Sequence, residues 1–379
     1  MSDLAPPSQQ GASTLTTEDR RYLDRARSLA RRGWGRVHPN PMVGCVVVRD
    51  GEVVGEGWHE RYGGPHAEVN ALDRAGSAAR EATVYVSLEP CDHQGKTPAC
   101  SRALLEAGVR RVIYGAPDPG DRAGGGGERL RKAGVTVVGP VLGPSEWHRD
   151  DPAFFHVAER RSCYVALKLA VSLDGKISSA PGATTNVTSA EALEEVHRLR
   201  AGFDALMVGG MTARVDDPRL TPRGEVRPVR PPARIVLDSR ARLPTTARLF
   251  REEGGPVVVF ASAEAEQPRL NRLEEAGART EVVRRAAGGE VEIREVLSRL
   301  WDSGTRSILC EGGGRVACSL LNEDVVRRLY LFVAPRFLGE RGVPAFPYPP
   351  AGDPRWALAE EPRALGPDAL LVLDRVEES

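Results

Sequence analysis

Three side chains far apart in the sequence constrain the fold of this chain more than any other feature. His66 opens a helical run in Pro65-His66-Ala67-Glu68, and Cys91 ends a strand in Leu88-Glu89-Pro90-Cys91. Cys100 lies nine residues beyond Cys91, inside the next helical run. One His and two Cys can serve a single metal only if the fold brings these ends together. The surrounding pattern is of the kind that can do so. From Glu18 a helix runs to about Arg32 and stops at Gly33. Met42 to Val48 reads as a strand, Asp50-Gly51 as a hairpin turn, and Glu52 to Trp58 as the returning strand. Helical spacing from His66 to Ala75 precedes a strand at Thr83–Leu88. A helix at Pro98–Ala107, capped by Gly108, precedes a strand at Arg111–Gly115. A helix near Glu128–Ala133 and a strand at Val135–Val138 follow. Strands alternating with helices predict an α/β layered domain.

Between Gly139 and Ser162 the periodicity is lost and Pro, Gly and charge collect, so the domain boundary is expected there. Phe154 and Phe155 give this connection an apolar pair able to dock it onto a domain. A second α/β domain starts with the strand Tyr164–Val171. It continues with strands near Ala205–Val208, Arg234–Asp238, Val257–Phe260 and Ser307–Leu309, then the apolar stretch Leu329–Val333 and a C-terminal strand Ala369–Leu373. The expected domains are residues 18–157 and 160–379.

The chain carries 52 basic and 52 acidic side chains, and the balance holds within each half. Neutrality leaves no electrostatic footprint for nucleic acid or an anionic membrane. No apolar run is long enough to span a bilayer. The polar stretch Met1–Thr14 lacks the apolar core of a signal peptide and reads as a disordered tail, which makes a cytoplasmic address the expectation. In a reducing compartment six cysteines favour metal binding or burial over disulfides. Cys45, Cys163, Cys310 and Cys318 are expected in the core. The oligomeric state, homo-oligomer included, is left open by the sequence.

Three protein ligands leave the fourth position of a zinc ion open to water, whose pKa falls from about 15.7 to ~7 when bound. Glu68, two residues from His66, can stand beside the metal without ligating it and carry a proton from water to a leaving amine. His-x-Glu followed by Pro-Cys is the pattern of zinc deaminases.

The spacing narrows the choice. Common nucleobase deaminases have two residues between their cysteines, whereas eight, Asp92 to Ala99, separate Cys91 from Cys100. That insert, with His38-Pro39-Asn40-Pro41-Met42-Val43-Gly44, resembles the bifunctional deaminase/reductase family of riboflavin biosynthesis. The resemblance runs from about residue 18 to 376. It implies a cytidine-deaminase-like three-layer domain that removes the 2-amino group of 2,5-diamino-6-(5-phosphoribosylamino)pyrimidin-4-one. By the same resemblance Asn40, His59, Lys96 and Asp118 hold the substrate. The chain departs from the family at Gly120, where an Asn is usual. Backbone N–H groups of Gly124–Gly127 could take over a phosphate contact there, or the run could be a plain loop.

Leu167-Lys168-Leu169-Ala170-Val171-Ser172-Leu173-Asp174-Gly175-Lys176 resembles the opening of the same family's reductase domain, of dihydrofolate-reductase-like fold. The implied reaction is the NADPH-dependent reduction of the ribosyl group of 5-amino-6-(5-phosphoribosylamino)uracil to ribityl. Carried over by position, Thr184, Arg200, Leu220, Arg223 and Glu311 contact substrate, the two arginines as phosphate forks. Ala170, Asn186, Thr212, Asp216, Ser239, Gly312, Gly313 and Gly314 line the cofactor site. From the residues alone Gly312–Gly314 is a glycine-rich turn before a helix, able to face a phosphate, and no Gly-x-Gly-x-x-Gly fingerprint accompanies it. Asn186 departs from relatives that carry Trp. Two rivals remain. Neutral charge and the long cysteine spacing disfavour a nucleic-acid deaminase, and the intact Glu68 disfavours a zinc-stabilised scaffold.

Overall fold

The computed structural model describes residues 15–93, 98–120, 124–348 and 354–376. The stretch Met1–Thr14, expected as a disordered tail, lies outside them. The chain divides into two compact units, Met1–Glu159 and Arg160–Ser379.

In the first unit helix α1 (Thr17–Ala30) starts with a capping box, in which Thr16 and Asp19 satisfy each other's backbone N–H. Strands β1 (Gly44–Arg49) and β2 (Glu52–Trp58) form the expected hairpin, with positive φ at Asp50 and Gly51. Then come α2 (Ala67–Ala75), β3 (Thr83–Leu88), α3 (Cys100–Ala107), β4 (Arg111–Ala116), α4 (Gly126–Lys132) and β5 (Thr136–Val138). The sheet order is β2-β1-β3-β4-β5. β1 runs antiparallel to both its neighbours, and β3, β4 and β5 are parallel. Two glycines let helices lie directly on this sheet. A Cβ at Gly44 would stand 2.1 Å from Ala26 O on α1, and one at Gly57 would stand 2.5 Å from Ala67 O and Ala71 N on α2. The start of α2, which carries His66 and Glu68, is therefore seated against β2.

The connection expected to be irregular is a pair of helices, α5 (Pro144–Asp150) and α6 (Pro152–Arg160). α5 buries no residue fully and α6 buries only Phe155. α5 offers no buried stripe to read, and the helical spacing of Phe154, Phe155 and Ala158 in α6 extends over nine residues only.

The second unit runs β6 (Tyr164–Ser172), β7 (Lys176–Ser178), α7 (Ala190–Ala201), β8 (Ala205–Gly209), α8 (Gly210–Asp216), β9 (Ala233–Leu237), α9 (Arg248–Arg251), β10 (Val257–Ser262), α10 (Gln267–Glu275), β11 (Ala278–Val283), α11 (Ile293–Asp302), β12 (Ser307–Cys310), α12 (Gly314–Asn322) and β13 (Val326–Ala334). It ends with β14 (Val343–Pro344), β15 (Trp356–Leu358), β16 (Arg363–Leu365) and β17 (Asp368–Arg375). The sheet order is β11-β10-β9-β8-β12-β6-β13-β17-β15, with β16 also on β17 and a separate β14-β7 pair. The run from β11 to β13 is parallel, and β17 is antiparallel to β13. β8, β10 and β12 are buried along their whole length, as strands inside a parallel sheet covered on both faces are.

Candidate functional site

In the first unit three chain ends converge. His66 is the N-cap of α2, Cys91 stands three residues past the end of β3, and Cys100 is the first residue of α3. The Cys100 N–H lies 3.4 Å from Cys91 Sγ, and the Ser101 N–H donates to Cys91 O at 3.1 Å, which holds the two cysteines together. His66 Nδ1 lies 3.5 Å from Cys91 Sγ and 3.3 Å from Cys100 Sγ. All three donor atoms fall within 4.8 Å of one another, the one such His/Cys/Asp/Glu cluster among the described residues. Tetrahedral zinc bonded at ordinary lengths would separate N and S by about 3.6 Å. The donor set and its spacing fit zinc with one position free.

Glu68, only 3% exposed, lies on the first turn of α2 beside this cluster. Burial and the negative charge of Cys91 push its carboxyl up to about 7. A hydrogen bond from the Cys100 thiol, with His66, draws the Cys91 thiol down, while Cys91 and burial push Cys100 up. A divalent cation bound there needs both sulfurs deprotonated, so its binding would release protons.

A pocket of about 280 Å³ opens over the cluster. Asn40, His59 and Asp118 line it together with His66, Glu68 and Cys91. His59 Nδ1 lies 2.9 Å from Pro65 O and Nε2 lies 3.1 Å from Asn40 Nδ2. These contacts fit one neutral tautomer, donating from Nδ1 and accepting at Nε2, and burial keeps His59 below its ordinary pKa. Burial raises Asp118, whose Oδ1 accepts the Gly120 N–H at 2.8 Å. Lys96 lies outside the described residues.

The glycine run serves a different end from the phosphate contact considered for it. The N–H groups of Gly125 and Gly127 donate to Glu89 Oε1 at 3.2 and 3.1 Å. A Cβ at Gly126 would stand 1.8 Å from Pro90 O, so the run packs α4 onto the strand end that carries Cys91. Phe154 and Ala158 of α6 also line the pocket. The apolar pair was visible in the sequence, but the helix that aims it was not.

In the second unit the expected residues gather at the carboxyl edge of parallel strands, where open α/β sheets bind ligands. Ala170 shares the partly open face of β6 with Lys168, two residues back. Thr212 and Asp216 lie on α8 after β8, Ser239 follows β9, and Glu311 to Gly314 follow β12. The loops touch. Gly209 N donates to Gly312 O at 3.3 Å, and a Cβ on Gly313 would stand 2.8 Å from Thr212 Oγ1. Gly312 and Gly313 have φ of 111° and 86°, which glycine alone adopts freely. Gly314 is covered by Pro344 and Ala345, whose carbonyls would meet its Cβ at 2.8 Å. Thr184 and Asn186 precede α7. Thr184 Oγ1 donates to Val215 O at 3.0 Å, and Asn186 O accepts from Arg336 at 3.3 Å.

Two of the expected substrate residues have defined surroundings. The fork of Arg200 is closed on Glu311 at 2.5 and 2.8 Å, and its remaining nitrogen donates to Thr221 O at 3.2 Å. Arg200 is thus a buried partner of Glu311 rather than a free phosphate fork. Leu220 is 1% exposed, with a φ of 48°, so its side chain belongs to the core and only its backbone can face a ligand. Arg223 is exposed. Burial and the charges of Arg200, Arg219 and Arg248 lower its pKa, against the pull of Glu252. Against burial, Arg200 and Lys168 hold Glu311 below the ordinary carboxylate value.

Comparison with known proteins matches both units. The family model for the cytidine and deoxycytidylate deaminase zinc-binding region covers residues 16–116, and that for the RibD C-terminal domain covers residues 163–370. Riboflavin biosynthesis protein RibD of Aquifex aeolicus is 37% identical over 323 residues, 85% of this chain and 88% of that protein. Among solved structures, RibD of Acinetobacter baumannii matches with a TM-score of 0.79 at 32% identity, covering 95% of this chain and 99% of that one. The Thermotoga maritima diaminohydroxyphosphoribosylaminopyrimidine deaminase/5-amino-6-(5-phosphoribosylamino)uracil reductase matches with a TM-score of 0.78 at 32% identity, with the same coverage. The first unit therefore has a cytidine-deaminase-like fold and the second the dihydrofolate-reductase-like fold of the reductase. With a zinc-binding deaminase region in one unit and a reductase domain in the other, the chain belongs to the RibD family of bifunctional riboflavin-biosynthesis enzymes.

Proposed function

We propose that the first unit, within residues 18–157, hydrolytically deaminates 2,5-diamino-6-(5-phosphoribosylamino)pyrimidin-4-one. The second, within 160–379, then reduces the ribosyl group of 5-amino-6-(5-phosphoribosylamino)uracil to ribityl with NADPH. One observation carries the first half: a buried carboxyl, Glu68, stands beside a His/Cys/Cys cluster at the floor of a pocket. Zinc held by His66, Cys91 and Cys100 supplies the Lewis acid that activates water. Glu68 takes a proton from that water and delivers one to the departing amine, so that water and substrate become ammonia and the pyrimidinedione. A buried carboxyl on the first turn of α2, beside the cluster, is placed to do both. Asn40 and neutral His59 orient the pyrimidine edge, Asp118 accepts from it, and Lys96 meets the phosphate.

For the reductase, NADPH supplies the hydride. Ala170, Asn186, Thr212, Asp216, Ser239 and Gly312–Gly314 form its binding surface, and Thr184, Leu220, Arg223 and Glu311 face the substrate, with Arg200 fixing Glu311. Support comes from the convergence of these loops at one sheet edge. Six buried, unpaired cysteines suit a reducing cytoplasm.

The test is a pair of variants. Glu68→Gln keeps zinc and lowers ammonia release by roughly 10²–10⁴-fold, and Cys91→Ser loses zinc. Near-normal release by Glu68→Gln, or full zinc in Cys91→Ser, contradicts the assignment.

A further inference from the structure

α6 does more than join the two units. Phe154 and Ala158 lie one turn apart on one face of this helix, and both line the deaminase pocket. Phe155, 4% exposed, packs with Leu88 and Ala116 at the ends of β3 and β4, and its ring meets that of Phe154 edge-on with centroids 5.3 Å apart. The helix is thus seated beside the strand that leads to Cys91, with an aromatic ring presented to the cavity.

Asp151 ties this wall to the loop that carries Asn40. It caps the helix, its Oδ1 accepting the Phe154 N–H at 3.3 Å, just ahead of Pro152 at the first helical position. Its Oδ2 accepts the Met42 N–H at 2.9 Å. Met42 ends the Pro39–Pro41 stretch, which lines the pocket and carries Asn40. One carboxylate therefore spans the loop that presents Asn40 and the helix that presents Phe154. Burial pushes this carboxyl up, and the Met42 N–H, His38 and the Phe154 N–H hold it back, so both bonds oppose its burial.

We propose that Phe154 is a specificity contact of the deaminase site, covering the apolar face of the aminopyrimidine ring, and that Asp151 is the positioning residue that sets Phe154 against Asn40. The inference rests on the deaminase reading above. A flat heteroaromatic ring needs an apolar surface as well as hydrogen bonds at its edge. Asn40 and His59 supply the edge, and Phe154 is the aromatic side chain on the pocket wall.

The experiment uses the full chain and measures ammonia release against diaminopyrimidine concentration. For Phe154→Ala, KM should rise roughly tenfold with kcat little changed, and Phe154→Leu should recover most of the loss. Asp151→Ala should raise KM by a similar factor. Asp151→Asn should fall between, because its amide oxygen can still accept one of the two N–H bonds. Zinc content and NADPH-dependent reduction of the deaminated intermediate should stay normal in all four, which a merely structural defect would not allow. Wild-type KM in Phe154→Ala, or loss of zinc in parallel with KM in Phe154→Ala, overturns the proposal. If Asp151→Ala fails to fold, the Phe154 pair and Asp151→Asn decide it. An active parent chain with unmoved KM in the variants contradicts this inference alone, whereas a parent chain that releases no ammonia overturns the deaminase reading with it.

Discussion

Arg200 and Glu311 lie 111 residues apart, and each is intelligible only through the other. Both side chains are at most 10% exposed, so the pair is desolvated, and its bidentate geometry offsets that cost. Breaking it leaves a carboxylate buried without its main partner. Arg200→Leu should therefore cost about 3–5 kcal/mol at neutral pH, read by chemical denaturation. The pH dependence has a definite sign. In the parent chain Glu311 is held below its ordinary value, so its contribution is present above that value and is lost as pH falls through the folded one. In Arg200→Leu, burial raises Glu311 instead, and acidification neutralises the stranded charge. The stability gap between the two proteins should narrow as pH is lowered. A gap independent of pH would mean that packing, not charge, is what Arg200 provides. Burial, Arg200 and Arg223 pull His197 down to about 4, so it stays neutral until the acid end of this window.

At the scale of elements, α1 is fixed to the sheet by charge as well as by packing. Asp19, 3% exposed, accepts from Arg111 at 2.9 and 3.1 Å and from Tyr85 Oη at 2.8 Å. Although burial opposes ionisation, Arg111, Tyr85 and Thr16 hold its carboxyl below the ordinary value. Asp19→Asn should lower the thermal midpoint at pH 7, and the difference should fade as pH drops through the folded pKa of Asp19. Equal midpoints at pH 7 would show the network to be idle. These elements were legible in the sequence to different degrees, for physical reasons. β2 and β3 match their expected bounds because the Asp50-Gly51 turn opens the first and Pro90 follows the second. His66, Glu68, Cys91 and Cys100 could be read because fixed local spacing encodes them. α5 and α6 could not, since together they bury one side chain fully. The Asp151–Met42 bond spans 109 residues and leaves no local trace. The same helix sets where the chain can be cut. A fragment ending at Arg161 should keep zinc and release ammonia. One ending at Asp150 loses Asp151 and the buried Phe155, a contact of the kind worth about 3–5 kcal/mol, and should retain zinc poorly on dialysis. Equal zinc retention by the two fragments would remove α6 from the account of the site.

The whole molecule places two chemistries in two compact units, each with its own sheet and core. One unit gathers a soft ligand set and a buried carboxyl. The other gathers glycine turns and arginines at the carboxyl edge of a parallel sheet. No helix among the described residues is long and apolar enough to cross a membrane. The measurement that bears most directly on this account is made on the intact chain with the diaminopyrimidine, following ammonia and NADPH together, with NADPH present or left out. The account predicts ammonia in both cases, and NADPH oxidation that begins only as the deaminated intermediate accumulates. NADPH consumed with no ammonia released, or ammonia that appears only when NADPH is present, would contradict it.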